Sequence, residues 1–233
     1  MTLNPTANTN AFEQPFISDQ TYLPDQLIAG GFPRVTQGSA TISTQSAVLP
    51  RGTVLGQQTV GTLTGAAKGG NTGNGTMGTV TSVGTSSPPQ TGVYTITFTA
   101  ATAFNVFDPN GRELKPGVTG SAYSDAISFT ITAGGTAFVA GDGFTVTVAA
   151  GTGNYIPAVA TAVDGSAVPS AILANQTDAT GGAANAGIYY TGEFNQNFVT
   201  YDNSFTLAQL AVLLRPFSIF LKNAVTAADP SGE

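Results

Sequence analysis

Alternating apolar and polar residues mark three short segments in the middle of the chain. In residues 93–99, 127–132 and 144–148, apolar side chains occupy every second position and threonine or serine fills most of the others. A period of two places successive side chains on opposite faces of a strand. The pattern therefore predicts an antiparallel sheet with one face on a core and one face rich in threonine.

One segment near the C-terminus has the period of a helix instead. Its apolar positions lie at i, i+3, i+4 and i+7, which places them on one helix face. These positions are Leu207, Leu210, Ala211 and Leu214. Thr206 and Gln209 have the spacing of a capping box, and Pro216 disfavours helical backbone at Arg215. We therefore expect a helix of about two turns, followed by a strand over 217–221 where apolar residues alternate again.

Further strands are predicted on either side of this central block. Residues 47–56 fit a strand, a Pro-Arg-Gly turn and a second strand, and residues 171–174, 188–191 and 198–201 are short apolar runs. Residues 69–75 are almost entirely glycine and asparagine, a composition typical of a hinge-like linker or hairpin loop. Residues 69–152 thus form an all-β block of their own, within a mainly β protein that has one or two short helices.

The first 44 residues show no regular period. Large apolar side chains are spaced among Asn, Thr, Gln and Pro, and they include Phe12, Phe16, Tyr22, Leu23 and Phe32. A disordered tail is one interpretation of this segment. Because disordered segments are poor in aromatic residues, we favour an extended arm that becomes ordered against a partner.

Charge and hydrophobicity argue against nucleic acid and membrane as partners. The chain has 13 acidic and 7 basic residues, a net charge of -6, and its basic residues are scattered. Binding to nucleic acid needs clustered Lys and Arg, so we expect no nucleic-acid partner. No apolar run approaches the length of a membrane span, and the N-terminus lacks the features of a secretory signal. We therefore expect no membrane partner and a protein that is made and used without export through a signal-peptide route.

The residue types needed for most catalysis are missing. The chain has no His and no Cys, which removes the common zinc ligands and the usual general base. The glycine run at 69–75 lacks the Gly-Lys-Ser/Thr of a phosphate loop. A calcium site at Asp108, Asn110, Glu113 and Asp142 lacks the spacing of known calcium loops, and Asp-Pro-Asn-Gly fits a turn. We expect no enzyme, metal or cofactor; a carboxylate-based hydrolase is the remaining enzymatic alternative.

Three stretches resemble a known family. The first is the run Ala47 to Gly56, with the sequence AVLPRGTVLG. The second begins at Gly153-Asn154-Tyr155 and continues to Asp178-Ala179-Thr180. The third is Gly192-Glu193-Phe194-Asn195, followed by the capped helix and the segment from Arg215 to Leu221. In this order the stretches are similar to tailed-bacteriophage head decoration proteins of the lambda type.

The resemblance implies a domain organisation. Residues 45–68 and 153–233 are expected to form a small decoration-protein core, residues 69–152 an inserted all-β domain, and residues 1–44 the arm. The insert is expected either to project outward or to add contacts between neighbouring subunits.

The resemblance also implies a function. Such proteins bind the outside of an expanded capsid as trimers at three-fold and quasi-three-fold sites, and they stabilise it against the pressure of packaged DNA. The expected partners are the major capsid protein and further copies of the chain. Capsid contacts are expected from the five arm residues named above, and core or trimer packing from Leu207, Leu210, Leu214 and Phe217.

Two alternatives remain open at this stage. The chain could be a tail-tube, fibre or baseplate component, since threonine-rich β modules suit these equally well. Alternatively, the block at 69–152 could bind glycans on the host surface.

Overall fold

A computed structural model describes residues 26–83 and 88–223 of the 233-residue chain. Its elements, in chain order, are strands β1 (Ile28–Gly30), β2 (Thr36–Ile42), β3 (Val54–Gln57), β4 (Val60–Ala67), β5 (Thr76–Met77), β6 (Thr81–Ser82), β7 (Gly92–Phe98), β8 (Ala103–Phe107), β9 (Gly117–Val118), β10 (Ala122–Ser124), β11 (Ile127–Thr132), β12 (Gly143–Ala150), β13 (Tyr155–Pro157), β14 (Pro169–Leu173), β15 (Ala184–Asn195) and β16 (Ile219–Lys222), with helix α1 (Leu207–Leu213) before β16. The predicted mainly β fold is confirmed. Within the described residues, no helix is long and apolar enough to span a membrane.

Five strands close into a small barrel. β15 pairs with β14, β14 with β3, β3 with β13, β13 with β2, and β2 again with β15. All of these pairs are antiparallel except β13 with β2. The second half of β15 extends beyond the ring, where β1 lies on one side of it and β16 on the other.

Side chains alternate between the barrel interior and its outer layer. In β3, Leu55 packs in the interior cluster while its neighbour Val54 packs in the outer cluster. In β14, Leu173 and Ile172 divide in the same way. The interior also receives Ile42 from β2, so strands distant in sequence share one core.

The remaining strands form a two-layer sandwich. One sheet has the order β4-β12-β7-β8-β9, and the other consists of β10, β11, β5 and β6. One cluster of buried side chains lies between the two sheets. It includes the nine residues that form the alternating apolar faces of the predicted strands: Tyr94, Ile96, Phe98, Ile127, Phe129, Ile131, Phe144, Val146 and Val148. Phe98 is at the centre of the cluster: its ring stacks on Phe138 at 4.0 Å and lies 5.5 Å from Phe104.

The barrel and the sandwich are joined by a network of hydrogen bonds. The chain leaves the barrel at Gln58 and returns at Asn154, and the Gln58 N–H donates to the Asn154 carbonyl at 2.9 Å. The Gln58 side-chain amide donates to Asp164 Oδ2 at 2.9 Å and accepts from Ser43 Oγ at 2.7 Å. Burial raises the pKa of Asp164, but hydrogen bonds from Ser166 and Gln58 outweigh it and leave the pKa below its ordinary value. The charged Asp164 carboxylate is therefore part of this junction.

Helix α1 begins and ends where the sequence predicts. Thr206 Oγ1 accepts from the Gln209 N–H at 3.3 Å, and the Thr206 N–H donates to Gln209 Oε1 at 2.8 Å, which completes the capping box. After the C-cap at Leu214, a 3-10 turn over Arg215–Phe217 contains the proline, and Ser218 has a left-handed φ of 57°. The predicted final strand follows as β16.

The structure differs from the sequence interpretation in several places. Before the Pro-Arg-Gly turn only Leu49 forms a bridge, to Thr177, and the final strand begins at Ile219 rather than at residue 217. Residues 28–30 and 36–42 were expected in the arm, yet they form β1 and β2 because the edges of β15 accept them. The sandwich begins at Val60 rather than at residue 69, since β4 pairs with β12. Residues 198–201 form only a single bridge, between Thr200 and Thr53, instead of a strand.

Candidate functional site

The first described residues are anchored beside the end of β15. Leu27 is 2% exposed in the outer barrel cluster, and its carbonyl accepts from the Asn195 N–H at 2.8 Å. On the other side of β15, the Lys222 carbonyl accepts from the Gln196 N–H at 2.9 Å. The two ends of the described chain therefore lie at the same end of β15.

An ion pair between a buried carboxylate and a half-exposed lysine lies at this end of the barrel. Lys222 Nζ pairs with Glu193 Oε1, and the carboxylate lies over Gly30, where an added Cβ would collide with it. Glu193 is 8% exposed, whereas the Lys222 side chain is 53% exposed. Sequence analysis did not single out this pair, because nothing local in the sequence relates two residues whose strands meet only in the fold.

Only one of the predicted capsid-contact residues falls in the described part of the chain. Phe32 lies in the loop between β1 and β2 and is 87% exposed. The loop is held by Thr191, whose hydroxyl donates to the Arg34 carbonyl at 2.8 Å and accepts from the Thr36 N–H at 3.2 Å. A large aromatic ring on a fixed loop is available for contact. The other four, Phe12, Phe16, Tyr22 and Leu23, lie outside the described residues.

The predicted packing residues of the helix divide between core and surface. Leu210 and Leu214 are fully buried in the outer barrel cluster, and Leu207 packs against it while partly exposed. Phe217, in the 3-10 turn, is 38% exposed. Leu210 and Leu214 therefore face the core, whereas Phe217, in the turn after the helix, is accessible to a partner.

The carboxylates considered for calcium are engaged by the backbone. Asp142 accepts N–H bonds from Thr72 at 2.9 Å, Gly73 at 2.8 Å and Val139 at 3.0 Å. Desolvation raises its pKa, but these three donors together lower the pKa below its ordinary value. Residues 69–75, predicted as a hinge-like linker, are thus tied to the β12 end of the sandwich.

The Asp108 carboxylate likewise stabilises a turn by accepting backbone hydrogen bonds. Its Oδ1 accepts from the Asn110 and Arg112 N–H groups at 2.9 Å each, and its Oδ2 accepts from Arg112 Nε at 3.2 Å. The bond from the Arg112 backbone is the largest cause that lowers the pKa of Asp108. Among the described residues, no group of three or more His, Cys, Asp or Glu side chains could hold a metal ion.

A cavity of about 430 Å³ lies at one end of the sandwich. Its lining includes Tyr94, Asp108, Arg112 and Asp125. The Tyr94 hydroxyl accepts from the Gln90 N–H at 3.0 Å, so this group also serves the fold. The cavity has the size of a small-molecule site, but its polar groups largely bond to one another or to the backbone.

Comparison with other proteins gives one informative match. No curated protein matches the chain. FlgL from Xanthomonas campestris is 24% identical over 44% of this chain and 34% of its own, with a TM-score of 0.33. The flagellar hook junction protein FlgK from Burkholderia pseudomallei is 23% identical over 53% of this chain and 21% of its own, also with a TM-score of 0.33. These scores are too low to support an argument.

The informative match is to a protein family. Residues 110–215 match the family model described as bacteriophage lambda head decoration protein D. The matched range includes the second part of the sandwich, β13 to β15 of the barrel, and helix α1. Over these residues, just under half of the chain, it is similar to the lambda head decoration proteins, a family of structural, non-enzymatic proteins on the outer surface of the phage capsid.

Proposed function

We propose that the chain binds the outer surface of an expanded phage capsid as a homotrimer, at three-fold and quasi-three-fold sites, and stabilises the shell against internal DNA pressure. The family match over residues 110–215 is the observation that carries this proposal. The proposed partners are the major capsid protein and two further copies of the chain. Because the match is to a head protein, it favours the head over the tail among the structural alternatives.

The capsid contact is assigned to the N-terminal arm. The proposed contact residues are Phe12, Phe16, Tyr22, Leu23 and Phe32. Two features support this assignment: Phe32 is 87% exposed, and Leu27 is buried and hydrogen-bonded where the preceding segment meets the barrel. An extended segment can add a strand to a sheet edge of the capsid protein while its aromatic side chains occupy pockets. The barrel then holds the arm at a fixed position on the shell.

The trimer contact is assigned to the surface around helix α1. Phe217 and the partly exposed Leu207 would face a neighbouring copy, while Leu210 and Leu214 support the helix from the core. Exposed apolar side chains next to a well-packed core are typical of the centre of a protein interface.

We further propose that the sandwich is an insertion into the decoration-protein core. The chain leaves the barrel after β3 and returns at β13, and these two strands are antiparallel neighbours. Without the sandwich, Gln57 and Tyr155 would be joined by a short hairpin loop. An addition at such a position leaves the barrel pairing intact.

Truncation of the arm tests the capsid contact. A chain lacking residues 1–25 retains β1 and β2 and should fold as the full chain does. It should lose binding to expanded heads, measured by co-sedimentation and gel quantification. The point variant F32A should weaken binding by about 30-fold if its ring is a central anchor worth about 2 kcal/mol. F198A is the matched control, since Phe198 is 40% exposed elsewhere on the barrel.

The outcomes separate the parts of the proposal. Full occupancy of heads by the truncated chain would exclude residues 1–25 as the capsid contact. Co-purification of the full chain with tails instead of heads would overturn the capsid function itself. Light scattering of the head-free chain at increasing concentration tests the trimer, and the variant F217A should shift it towards monomer.

A further inference from the structure

The strand β4 is an open edge of the sandwich. It pairs with β12 on one side, and no other described strand pairs with its second side. The Lys68 N–H donates to the Gly143 carbonyl at 2.9 Å. Because hydrogen-bonded and non-hydrogen-bonded residue pairs alternate along two antiparallel strands, this bond shows which residues of β4 bond to β12. The backbone N–H and C=O groups of Leu63, Gly65 and Ala67 therefore point away from β12, towards the open side.

β4 differs from the other edges of the sandwich. It has 8 residues, VGTLTGAA, with no charge and no proline. The other sandwich edges, in β5, β6, β9 and β10, are 2 or 3 residues long. In the barrel, the seven-residue β2 has a second side that pairs only at Ile42. Proteins protect their edges with short strands, charges, bulges or proline, and a long uncharged edge is a template for another strand.

The solvent face of β4 itself is also uncharged, and Lys68 follows at its C-terminal end. Thr64 and Ala66 lie opposite Thr147 and Thr145 of β12 on the outer face of the sheet. Each copy of the chain has a net charge of -6. Two copies can therefore approach along β4 without bringing like charges together, in contrast to the more acidic parts of their surfaces.

We propose that β4 pairs in antiparallel fashion with β4 of a second copy, about a two-fold axis at Gly65. In this register Leu63 lies opposite Ala67 of the second copy, and the two Gly65 residues face each other. The three outward residues of each strand then exchange about six N–H···O bonds. On the outer face Thr64 lies opposite Ala66, so small side chains meet along the whole pair.

This inference goes beyond the proposed function and does not depend on it. A two-fold contact is self-complementary and closes with two copies. It differs from the three-fold contact inside a trimer. On a capsid it would connect the sandwich of one trimer to the sandwich of the next.

Cysteine crosslinking tests both the contact and its register. The chain has no cysteine of its own, so each introduced thiol is the only one present. The full-length variants T64C and A66C are oxidised separately and as an equimolar mixture. In the proposed register, residue 64 and residue 66 of the second copy form a non-hydrogen-bonded pair. The Cα atoms of such a pair lie about 4.5 Å apart, within the range of a disulfide. The mixture should give a crosslinked dimer that neither variant gives alone.

A control and a second variant complete the test. T95C places an equally exposed thiol on the central strand β7 and measures random collision. No dimer in the mixture above the T95C level would overturn the pairing, and efficient crosslinking of T64C alone would overturn the Gly65 register. A dimer that forms only after residues 1–25 are removed would assign the edge in the full chain to that segment instead. Because the Ala67 N–H makes no bond to β12, A67P should abolish the dimer while leaving the thermal unfolding of the chain unchanged.

Discussion

Replacement of Phe98 by alanine should destabilise the sandwich selectively. Phe98 is 1% exposed, stacks on Phe138 at 4.0 Å and contacts the rings of Phe104 and Phe144 at 5.5 and 6.4 Å. Removal of a buried phenylalanine costs about 3–5 kcal/mol, because the surrounding side chains only partly fill the cavity. A unit of about 90 residues has a total stability of about 5–14 kcal/mol. F98A should therefore remove between a quarter and most of the stability of the sandwich.

Calorimetry with hydrogen exchange measures this effect by region. The barrel has its own buried clusters, so its transition and the protection of its amides should change little in F98A. The matched control is L210A, which removes a fully buried leucine from the barrel and costs about 2–5 kcal/mol. L210A should lower the unfolding temperature of the barrel and leave that of the sandwich unchanged. If both variants lower one common transition and expose both units together, the division into two cores is refuted.

Three further predictions concern local structure. T206A should cost about 1 kcal/mol of stability in thermal unfolding, since Thr206 caps α1. G56A should destabilise the barrel by more than about 1 kcal/mol because the new Cβ collides with the Ser166 carbonyl, whereas G31A, with open space around it, should be neutral. The folded pKa of Asp142 lies below its ordinary 3.8, so its carboxylate stabilises the sandwich above that pH and the contribution is lost as pH falls through the folded pKa. D142N should therefore flatten the acid dependence of sandwich unfolding at pH values below 3.8.

The sequence was most informative where the determining interactions are local. The alternation around Phe98, Phe129 and Val146 identifies three strands, because a period of two records which face is buried. The capping box at Thr206 and the proline after α1 likewise act within a few residues of themselves.

The parts that sequence analysis missed depend on contacts between distant residues. β2 was assigned to the arm, since only its pairing with β15, more than 140 residues later, makes it a strand of the barrel. The loop at 69–75 has the composition of a linker, and only Asp142, on a distant turn, fixes it. At the candidate site, aromatic spacing drew attention to Phe32, but the Glu193–Lys222 pair has no local signal.

Electron cryomicroscopy of expanded heads, assembled with and without the full chain, tests the central claim most directly. The account predicts added density on the outer surface at the three-fold and quasi-three-fold positions, with a barrel next to the shell and a second β-rich lobe attached to it. Identical maps from the two preparations, or added density confined to the tail, would contradict it.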